Sequence, residues 1–405
     1  MQQYVYLSLH NAIYQCYQKA PNGYHNIAIF GAYMYLRGLL LALALSPCVS
    51  WAQGDEAWAG YGIEVNPVLG KIIKHNYIFP PMPRLSYAVD IALLKQTDGS
   101  KEWQVRRKYP LVGVGVTYTD YGIDSVYGKC IGLYPVWEIP IVRGEKLEWT
   151  CRFGYGIGYV TKRFERHPSY DTLNNLVGSR LNNFTMFTTQ LRYKLNQNIH
   201  LHAGFNFSHI SNGSFRLPNL GVNMYGGHIG VRYFPVTDNP ERTGTTPERL
   251  PNRWMVQARI GLGMTEYNNV DGPMYPVYTA TLYASKRYGS RNKILAGIDY
   301  SYFTAMHAFL RYNEIEVGNE DAHSWEGVIF VGHEFVIGRV GVIAQVGVPF
   351  RHTYINKDKT IQKLGYAYYI LQQEKGILKE LTLNGFIKSN NLEASHLEFG
   401  LGMGI

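Results

Sequence analysis

Residues 397–405 at the end of the chain read LEFGLGMGI and alternate strictly between two kinds of side chain. Large apolar residues occupy the odd-numbered positions, and glycine or glutamate occupies the even-numbered ones. Because successive side chains of a β-strand point to opposite faces, the stretch predicts a strand with one apolar face. A transmembrane barrel strand has this pattern, with lipid on one side and the lumen on the other, although a sandwich strand would alternate similarly.

The same alternation recurs in segments of about ten residues through the chain after residue 53. Clear examples are residues 111–119, 149–159, 199–208, 226–234, 255–263, 327–335 and 340–348. Short connections at 96–100, 142–146, 195–198, 288–292 and 336–339 alternate with longer loops at 160–183, 208–222, 265–275, 304–324 and 349–361. We therefore predict an all-β fold, a single closed antiparallel transmembrane β-barrel of roughly 14–16 strands. Only the Pro-, Thr- and Arg-rich segment 235–252 breaks the pattern, and we predict no second domain.

Composition supports the β assignment and limits the partners. The 405 residues include 33 Tyr and 42 Gly, and only 17% are charged. The net charge of +9 suits an anionic partner, but no Lys/Arg cluster stands out, which favours anionic lipid over nucleic acid. The sequence contains no Cys/His set with zinc spacing and no GxGxxG before a helix, so we predict no metal and no cofactor. The oligomeric state is not predicted.

The N-terminal region has the layout of an export signal. Residues 34–52 contain Arg37, an apolar run and small residues before Gln53, which indicates a cleaved signal peptide. Lipidation at Cys48 is the alternative, although the proline before that cysteine fits a lipoprotein signal poorly. Residues 1–33 are interpreted as a non-structural extension and residues 53–405 as the barrel. The expected location is the Gram-negative outer membrane.

Cys130 and Cys151 remain in the processed chain and flank the turn at 142–146. They could lie opposite each other on neighbouring strands, and an exported protein can form disulfides. Two unpaired thiols on a barrel wall are an equally good interpretation.

Residues 205–223 read FNFSHISNGSFRLPNLGVN and begin as another strand. Strict alternation places His209 and Ser211 on the same face as the apolar Phe205. Asn223, on the returning strand, has the parity of the lipid-facing residues of that strand. The three polar side chains are therefore expected to converge on the outer wall near the extracellular rim.

This trio has the composition of a nucleophilic site. His209 can take the proton of the Ser211 hydroxyl, and Asn223 can orient the imidazole. The candidate donors to an oxyanion are Asn212, Gly213 and Asn219. By spacing alone, most His-x-Ser sequences at a barrel rim are polar loop residues, so that interpretation stays open. His75, in KIIKHN, is interpreted as a loop histidine.

The stretch HISNGSFRLPNLGVN resembles the signature of the outer-membrane lipid A 3-O-deacylase family, also called acyloxyacyl hydrolases. The matching residues are His209, Ser211, Asn212, Gly213, Pro218, Asn219 and Gly221. The similarity extends through GKIIKHN (70–76), LVGSRLNN (176–183) and SNNLEASHLEFGLGMGI (389–405). The resemblance implies a barrel whose His and Ser act with an acidic residue on the lipid-facing wall to release an ester-linked acyl chain from lipopolysaccharide.

The chain departs from the family pattern at the acid, where it has Asn223, and it is longer than the small members of the family need. An asparagine can orient a histidine but adds no charge to stabilise the imidazolium. We predict an outer-membrane serine hydrolase, a carboxylic ester hydrolase acting on lipid A or a related outer-leaflet lipid, with lipopolysaccharide as its partner. A non-enzymatic barrel, porin-like or an inactive deacylase relative, is the alternative, and a soluble secreted β-protein is the third hypothesis.

Overall fold

The computed structural model describes residues 58–167, 170–236, 242, 244, 252–266, 270–288, 292–391 and 393–405. The predicted extension (1–33) and signal peptide (34–52) lie outside these residues. The described chain contains 16 β-strands, with short helices in several of the connections. Within the described ranges no helix has the length and apolar character needed to cross a bilayer.

The first barrel contains the first eight strands. They are β1 (Tyr61–Ile72), β2 (Ser86–Gln96), β3 (Leu111–Asp120), β4 (Lys129–Arg143), β5 (Leu147–Val160), β6 (Leu181–Lys194), β7 (Ile199–Ser211) and β8 (Val222–Tyr233). Each strand pairs antiparallel with the next, and β8 pairs with β1 to close the barrel. Helices α1 (Glu102–Arg106) and α2 (Asp124–Tyr127) lie in the connections on either side of β3.

The second barrel contains the remaining eight strands. They are β9 (Trp254–Glu266), β10 (Met274–Tyr288), β11 (Asn292–Phe303), β12 (Trp325–Ile337), β13 (Val340–Arg351), β14 (Ile361–Gln372), β15 (Glu380–Asn390) and β16 (Glu393–Gly404). Pairing of β16 with β9 closes this barrel. Helix α3 (Thr304–Tyr312) and a 3-10 helix (Asp321–His323) lie between β11 and β12.

The prediction of a single barrel is wrong, because the strands close as two separate barrels of eight. The segment 235–252, which breaks the alternation, is the connection between β8 and β9. At the two closures, Gly70 of β1 lies opposite Gly226 of β8, and Leu401 of β16 lies opposite Ile260 of β9. Alternation determines which face a side chain takes but not which strands become neighbours, so it does not determine where a sheet closes.

The stretch at 397–405 shows the predicted division of faces within β16. The side chains of Phe399, Leu401 and Met403 point outward and are 69%, 49% and 54% exposed. On the other face, a Cβ added to Gly400 would lie 2.1 Å from the backbone oxygen of Ile260, so only glycine fits there. The barrel surface is therefore apolar where it would meet lipid.

The interior of the first barrel is filled by a network of buried charges. Arg152 and Arg232 are 1% and 0% exposed. Arg152 Nη2 donates to Glu138 Oε2 at 2.8 Å, and Arg232 Nε donates to Glu64 Oε2 at 2.6 Å. The second barrel has buried pairs of the same kind, namely Lys293–Glu380, Lys363–Glu398 and Lys388–Glu326. An eight-stranded barrel is just wide enough for its side chains to fill, and these ion pairs fill both interiors.

We predict that Arg152→Met strongly destabilises the first barrel. The change removes one of two arginines that neutralise Glu64 and Glu138, and an uncompensated buried charge costs about 3–5 kcal/mol. Urea unfolding of the detergent-refolded protein, followed by tryptophan fluorescence, would measure the loss. The control is Arg180→Met, because Arg180 is 47% exposed and lies 3.6 Å from Glu165, a pair expected to contribute less than about 1 kcal/mol. Equal losses in the two variants would contradict the prediction.

Cys130 and Cys151 are both free thiols, and the disulfide alternative is wrong. The strand register explains why. Cys130 of β4 lies opposite Val160, whereas Cys151 of β5 lies opposite Ile139. The nine-residue offset between Cys130 and Ile139 separates the two sulfur-bearing positions by about 30 Å along the strands. Cys130 is buried inside the barrel, and Cys151 has the opposite parity.

Candidate active site

Strands β7 and β8 bring the three predicted residues of the trio into contact. His209 of β7 lies directly opposite Asn223 of β8 in the antiparallel register. His209 Nδ1 is 2.6 Å from Asn223 Oδ1, and His209 Nε2 is 2.9 Å from the Ser211 hydroxyl. The imidazole thus bridges an amide oxygen and a serine hydroxyl, as a base between an orienting group and a nucleophile must.

The trio faces outward from the first barrel, at the end of β7 where the long connection to β8 begins. Phe205 of β7 and Tyr225 of β8 have the same parity as the trio and are 42% and 40% exposed, whereas Met224, between Asn223 and Tyr225, is buried. His209 is half-buried, and Ser211 is 5% exposed. The serine hydroxyl is therefore held in a sheltered position at the surface of the wall.

The connection at residues 212–221, the site loop, folds back over the serine. The backbone N–H of Asn212 donates to Asn219 Oδ1 at 2.8 Å. Asn212 Nδ2 donates to the Arg216 carbonyl oxygen at 2.7 Å and to Ser179 Oγ at 2.9 Å. These bonds fix the loop backbone immediately after the nucleophile candidate.

Gly221 ends the site loop in a conformation that only glycine accommodates easily. Its φ is +71°, and an added Cβ would lie 3.2 Å from Ser211 Cβ and 3.3 Å from His209 Cε1. A side chain here would strain the backbone and press on the trio. The glycine of the signature therefore has a packing role at the site.

The three predicted oxyanion donors divide into two groups. Both the backbone N–H and the side-chain amide of Asn212 are already engaged within the structure. Asn219 uses its oxygen as an acceptor, which points its NH₂ group the other way. In the part of the chain that the structure describes, Asn219 Nδ2 and the Gly213 N–H donate to no protein group. These two donors have no protein partner among the described residues, whereas Asn212 stabilises the loop.

Two contacting residues were not identified from the sequence. Asn183 of β6 lies opposite Ser211 and donates from Nδ2 to the serine hydroxyl at 3.3 Å. His75, interpreted as a loop histidine, reaches across the barrel closure to the trio, with Nδ1 3.4 Å from Asn223 Nδ2. Asn183 closes the segment LVGSRLNN, but the register that brings it to Ser211 could not be read from one sequence.

His75 determines how the Asn223 amide is oriented. Its Nε2 lies 2.9 Å from the Leu220 carbonyl oxygen, which only accepts, so Nε2 carries the proton. Nδ1 lies 3.2 Å from the Ile73 oxygen and 3.4 Å from Asn223 Nδ2, and with the proton on Nε2 it can only accept, here from Asn223 Nδ2. The Asn223 oxygen therefore faces His209 Nδ1, which must donate. This leaves His209 Nε2 unprotonated and directed at Ser211, the tautomer that a general base requires.

No group of three or more His, Cys, Asp or Glu side chains within the described ranges is arranged to hold a metal ion. The chemistry available at the site is that of an unprotonated imidazole, a hydroxyl and nearby neutral hydrogen-bond donors. Such a set can activate a serine and stabilise a developing oxyanion.

Fold and site together define a β-barrel protein with a hydrolase-like His–Ser–Asn arrangement on the outside of one wall. Residues 87–232 match the family profile described as Lipid A 3-O-deacylase (PagL), and residues 252–405 match the profile described as Acyloxyacyl hydrolase, C-terminal domain. These two profile matches confirm the resemblance drawn from the signature. The first match ends within β8 and the second begins just before β9, so the two profiles follow the two barrels.

Three solved structures are each similar to part of the chain. The crystal structure of the outer-membrane enzyme PagL is 18% identical, covering 41% of this chain and 97% of its own, with a TM-score of 0.29. Neisserial surface protein A (NspA) is 13% identical, covering 44% and 97%, with a TM-score of 0.29. The N-terminal β-barrel domain of Pseudomonas aeruginosa OprF is 16% identical, covering 42% and 97%, with a TM-score of 0.24. A search of curated proteins gave no match.

Proposed function

We propose that this protein is an outer-membrane serine hydrolase that removes an ester-linked acyl chain from lipid A or a related outer-leaflet lipid. Ser211 is the nucleophile, His209 the general base and Asn223 the group that orients the imidazole. The observation that carries the proposal is the 2.9 Å contact between His209 Nε2 and the Ser211 hydroxyl on the outward face of the wall. The match of residues 87–232 to the Lipid A 3-O-deacylase (PagL) profile supports the substrate class.

The proposed reaction proceeds through an acyl-enzyme. Ser211 Oγ attacks the ester carbonyl carbon while its proton passes to His209 Nε2. Asn219 Nδ2 and the Gly213 N–H donate to the oxyanion of the tetrahedral intermediate. When the intermediate collapses, the alcohol of the lipid leaves with the proton from His209. Water, deprotonated by the same imidazole, then releases the fatty acid and restores the serine.

The outward position of the site suits a lipid substrate. Outward side chains on the same two strands are apolar, from Phe205 and Tyr225 near the site to Leu201, Ile229 and Val231 toward the other end of the strands, where the last three are 45%, 74% and 41% exposed. A closed barrel with such a surface satisfies its backbone hydrogen bonds internally and can reside in a bilayer. A membrane-embedded enzyme with its serine on the outer face of the wall receives an acyl chain directly from the lipid phase. The basic net charge of +9 is compatible with anionic lipopolysaccharide.

A channel function has little support in the described residues. The buried ion pairs and large buried side chains, including Tyr134, Tyr369 and Phe184, occupy both interiors. We therefore do not propose the porin-like alternative.

Mass spectrometry of lipid A tests the proposal. Purified protein in detergent micelles is incubated with lipopolysaccharide, and the lipid A is recovered by mild acid hydrolysis. We expect the loss of one acyl chain, with a free fatty acid in equal amount. A fluorophosphonate probe should label the protein on the tryptic peptide that contains Ser211. Unchanged lipid A together with no labelling would reject the enzymatic proposal in favour of an inactive deacylase relative.

A further inference from the structure

We propose that the second barrel supports catalysis in the first through Glu266, a positioning residue that holds the site loop. This inference rests on the proposed hydrolase function. Both barrels lie within one compact unit, Ala59–Ile405, and the end of β9 reaches the site loop of the first barrel.

The Glu266 carboxylate is buried and bonded to the site loop by both oxygens. Glu266 is the last residue of β9 and is 1% exposed. Its Oε1 accepts from Arg216 Nη1 at 2.9 Å, and its Oε2 accepts from the backbone N–H of Leu217 at 2.6 Å. Removing a carboxylate from water is unfavourable unless it is paired, and both of these partners belong to the other barrel. The position of the loop at 216–217 is thus coupled to this side chain of the second barrel.

The connection from Glu266 to the nucleophile is short. Arg216, which Glu266 holds, accepts from Asn212 Nδ2 through its carbonyl oxygen at 2.7 Å. Asn212 follows Ser211 directly, and its backbone N–H fixes Asn219, one of the two free donors, at 2.8 Å. A shift of the loop at 216–217 therefore moves the serine backbone and the oxyanion donor together.

Other contacts hold the loop tip against β9 and β16. Ser214 Oγ donates to the Ala394 carbonyl oxygen at 2.5 Å, and Thr265 Oγ1 donates to the Ser214 oxygen at 3.3 Å. A Cβ on Gly213 would lie 2.7 Å from Leu397, so the loop packs closely on the second barrel. Ser214 has a φ of +61°, an uncommon value for a residue with a side chain. These contacts from the second barrel add to those that hold the loop from the first barrel, such as the bond of Asn212 to Ser179.

We expect Glu266→Gln to lower the kcat for acyl release about 10- to 100-fold and to change KM by less than about twofold. Glutamine has the volume of glutamate, but its NH₂ group faces one of the two donors that Glu266 accepts from, Arg216 Nη1 or the Leu217 N–H. The site loop is therefore displaced, while the outer wall that binds lipid is unchanged. The fluorophosphonate labelling rate should fall in parallel. Heat-dependent gel mobility and urea unfolding of the same preparations show whether both barrels remain folded.

The matched control is Glu326→Gln. Glu326 is also 1% exposed in the second barrel, but its partner is Lys388 within that barrel rather than the site loop. The Glu326→Gln variant should keep the wild-type kcat per folded molecule. An equal kcat loss in the two glutamine variants would overturn the inference, because it would reflect a general disturbance of the second barrel.

A second variant changes the partner of Glu266 in the site loop. Arg216→Met removes the other partner, whose side chain is 39% exposed, and should reproduce the kcat loss even if Glu266→Gln does not fold. Wild-type kcat in a folded Glu266→Gln or Arg216→Met protein would overturn the inference while leaving the hydrolase proposal intact. An inactive wild-type enzyme would instead reject the hydrolase proposal and this inference with it.

Discussion

Ser211→Ala is expected to abolish acyl release and leave both barrels folded. In serine hydrolases the loss of the nucleophile lowers kcat by about 10⁶-fold, because the catalytic residues act as a unit. The methyl group of alanine occupies the site of the methylene of serine, and only the hydroxyl that contacts His209 and Asn183 is lost. Lipid A mass spectra should therefore be those of untreated lipopolysaccharide, and fluorophosphonate labelling should disappear.

The control for Ser211→Ala is Ser208→Ala, on the same strand. Ser208 faces the barrel interior and is 9% exposed, so its removal tests the effect of deleting a hydroxyl from β7 without touching the trio. It should retain close to the wild-type rate. If Ser211→Ala continued to deacylate lipid A at the wild-type rate, Ser211 would not be the nucleophile.

The faces of the strands could be predicted from the sequence because the alternation of side chains is local. Residues 397–405 show one apolar and one glycine-rich face, and the structure divides them that way. The closure could not be predicted, since it depends on pairing between strands far apart in sequence, such as β1 with β8. The long segment 235–252 was the local sign of the boundary between barrels.

The trio could be predicted because parity and the signature place His209, Ser211 and Asn223 relative to one another within one hairpin. The residues that surround the trio come from elsewhere in the chain. His75 comes from the connection that follows β1, and Glu266 comes from the other barrel. Their contacts depend on tertiary structure, and no spacing in a single sequence reveals them. Asn212 was predicted as an oxyanion donor from its residue type, but in the folded loop its side-chain amide donates to the Arg216 carbonyl oxygen.

Asn223→Asp should raise the rate of acyl release by about 10²-fold. The change keeps the shape of the side chain and restores the carboxylate that the family pattern places at this position. As Ser211 transfers its proton, His209 becomes an imidazolium, and a carboxylate at the present 2.6 Å contact would stabilise that charge. An amide oxygen offers only a partial charge, so the gain appears in kcat.

The expected size of this rate increase depends on the tautomer of His209 in the wild-type protein. In a Ser-His-Asp enzyme, replacing the acid with asparagine lowers kcat about 10⁴-fold, because the amide favours the wrong histidine tautomer. Here the contact of His75 with Asn223 Nδ2 already turns the amide oxygen toward His209, so the correct tautomer is present and only the charge is missing. We therefore expect the rate increase of Asn223→Asp to be smaller than about 10⁴-fold.

Initial rates of fatty-acid release from lipopolysaccharide, measured for wild type, Asn223→Asp and Asn223→Ala, would check this prediction. The alanine variant loses both orientation and partial charge and should fall below wild type, so the two substitutions should move the rate in opposite directions. At acidic pH, where the new carboxylate is protonated, the advantage of Asn223→Asp over wild type should disappear. An aspartate variant no faster than wild type at neutral pH would mean that imidazolium formation does not limit the reaction, and that acyl-chain entry or product release does.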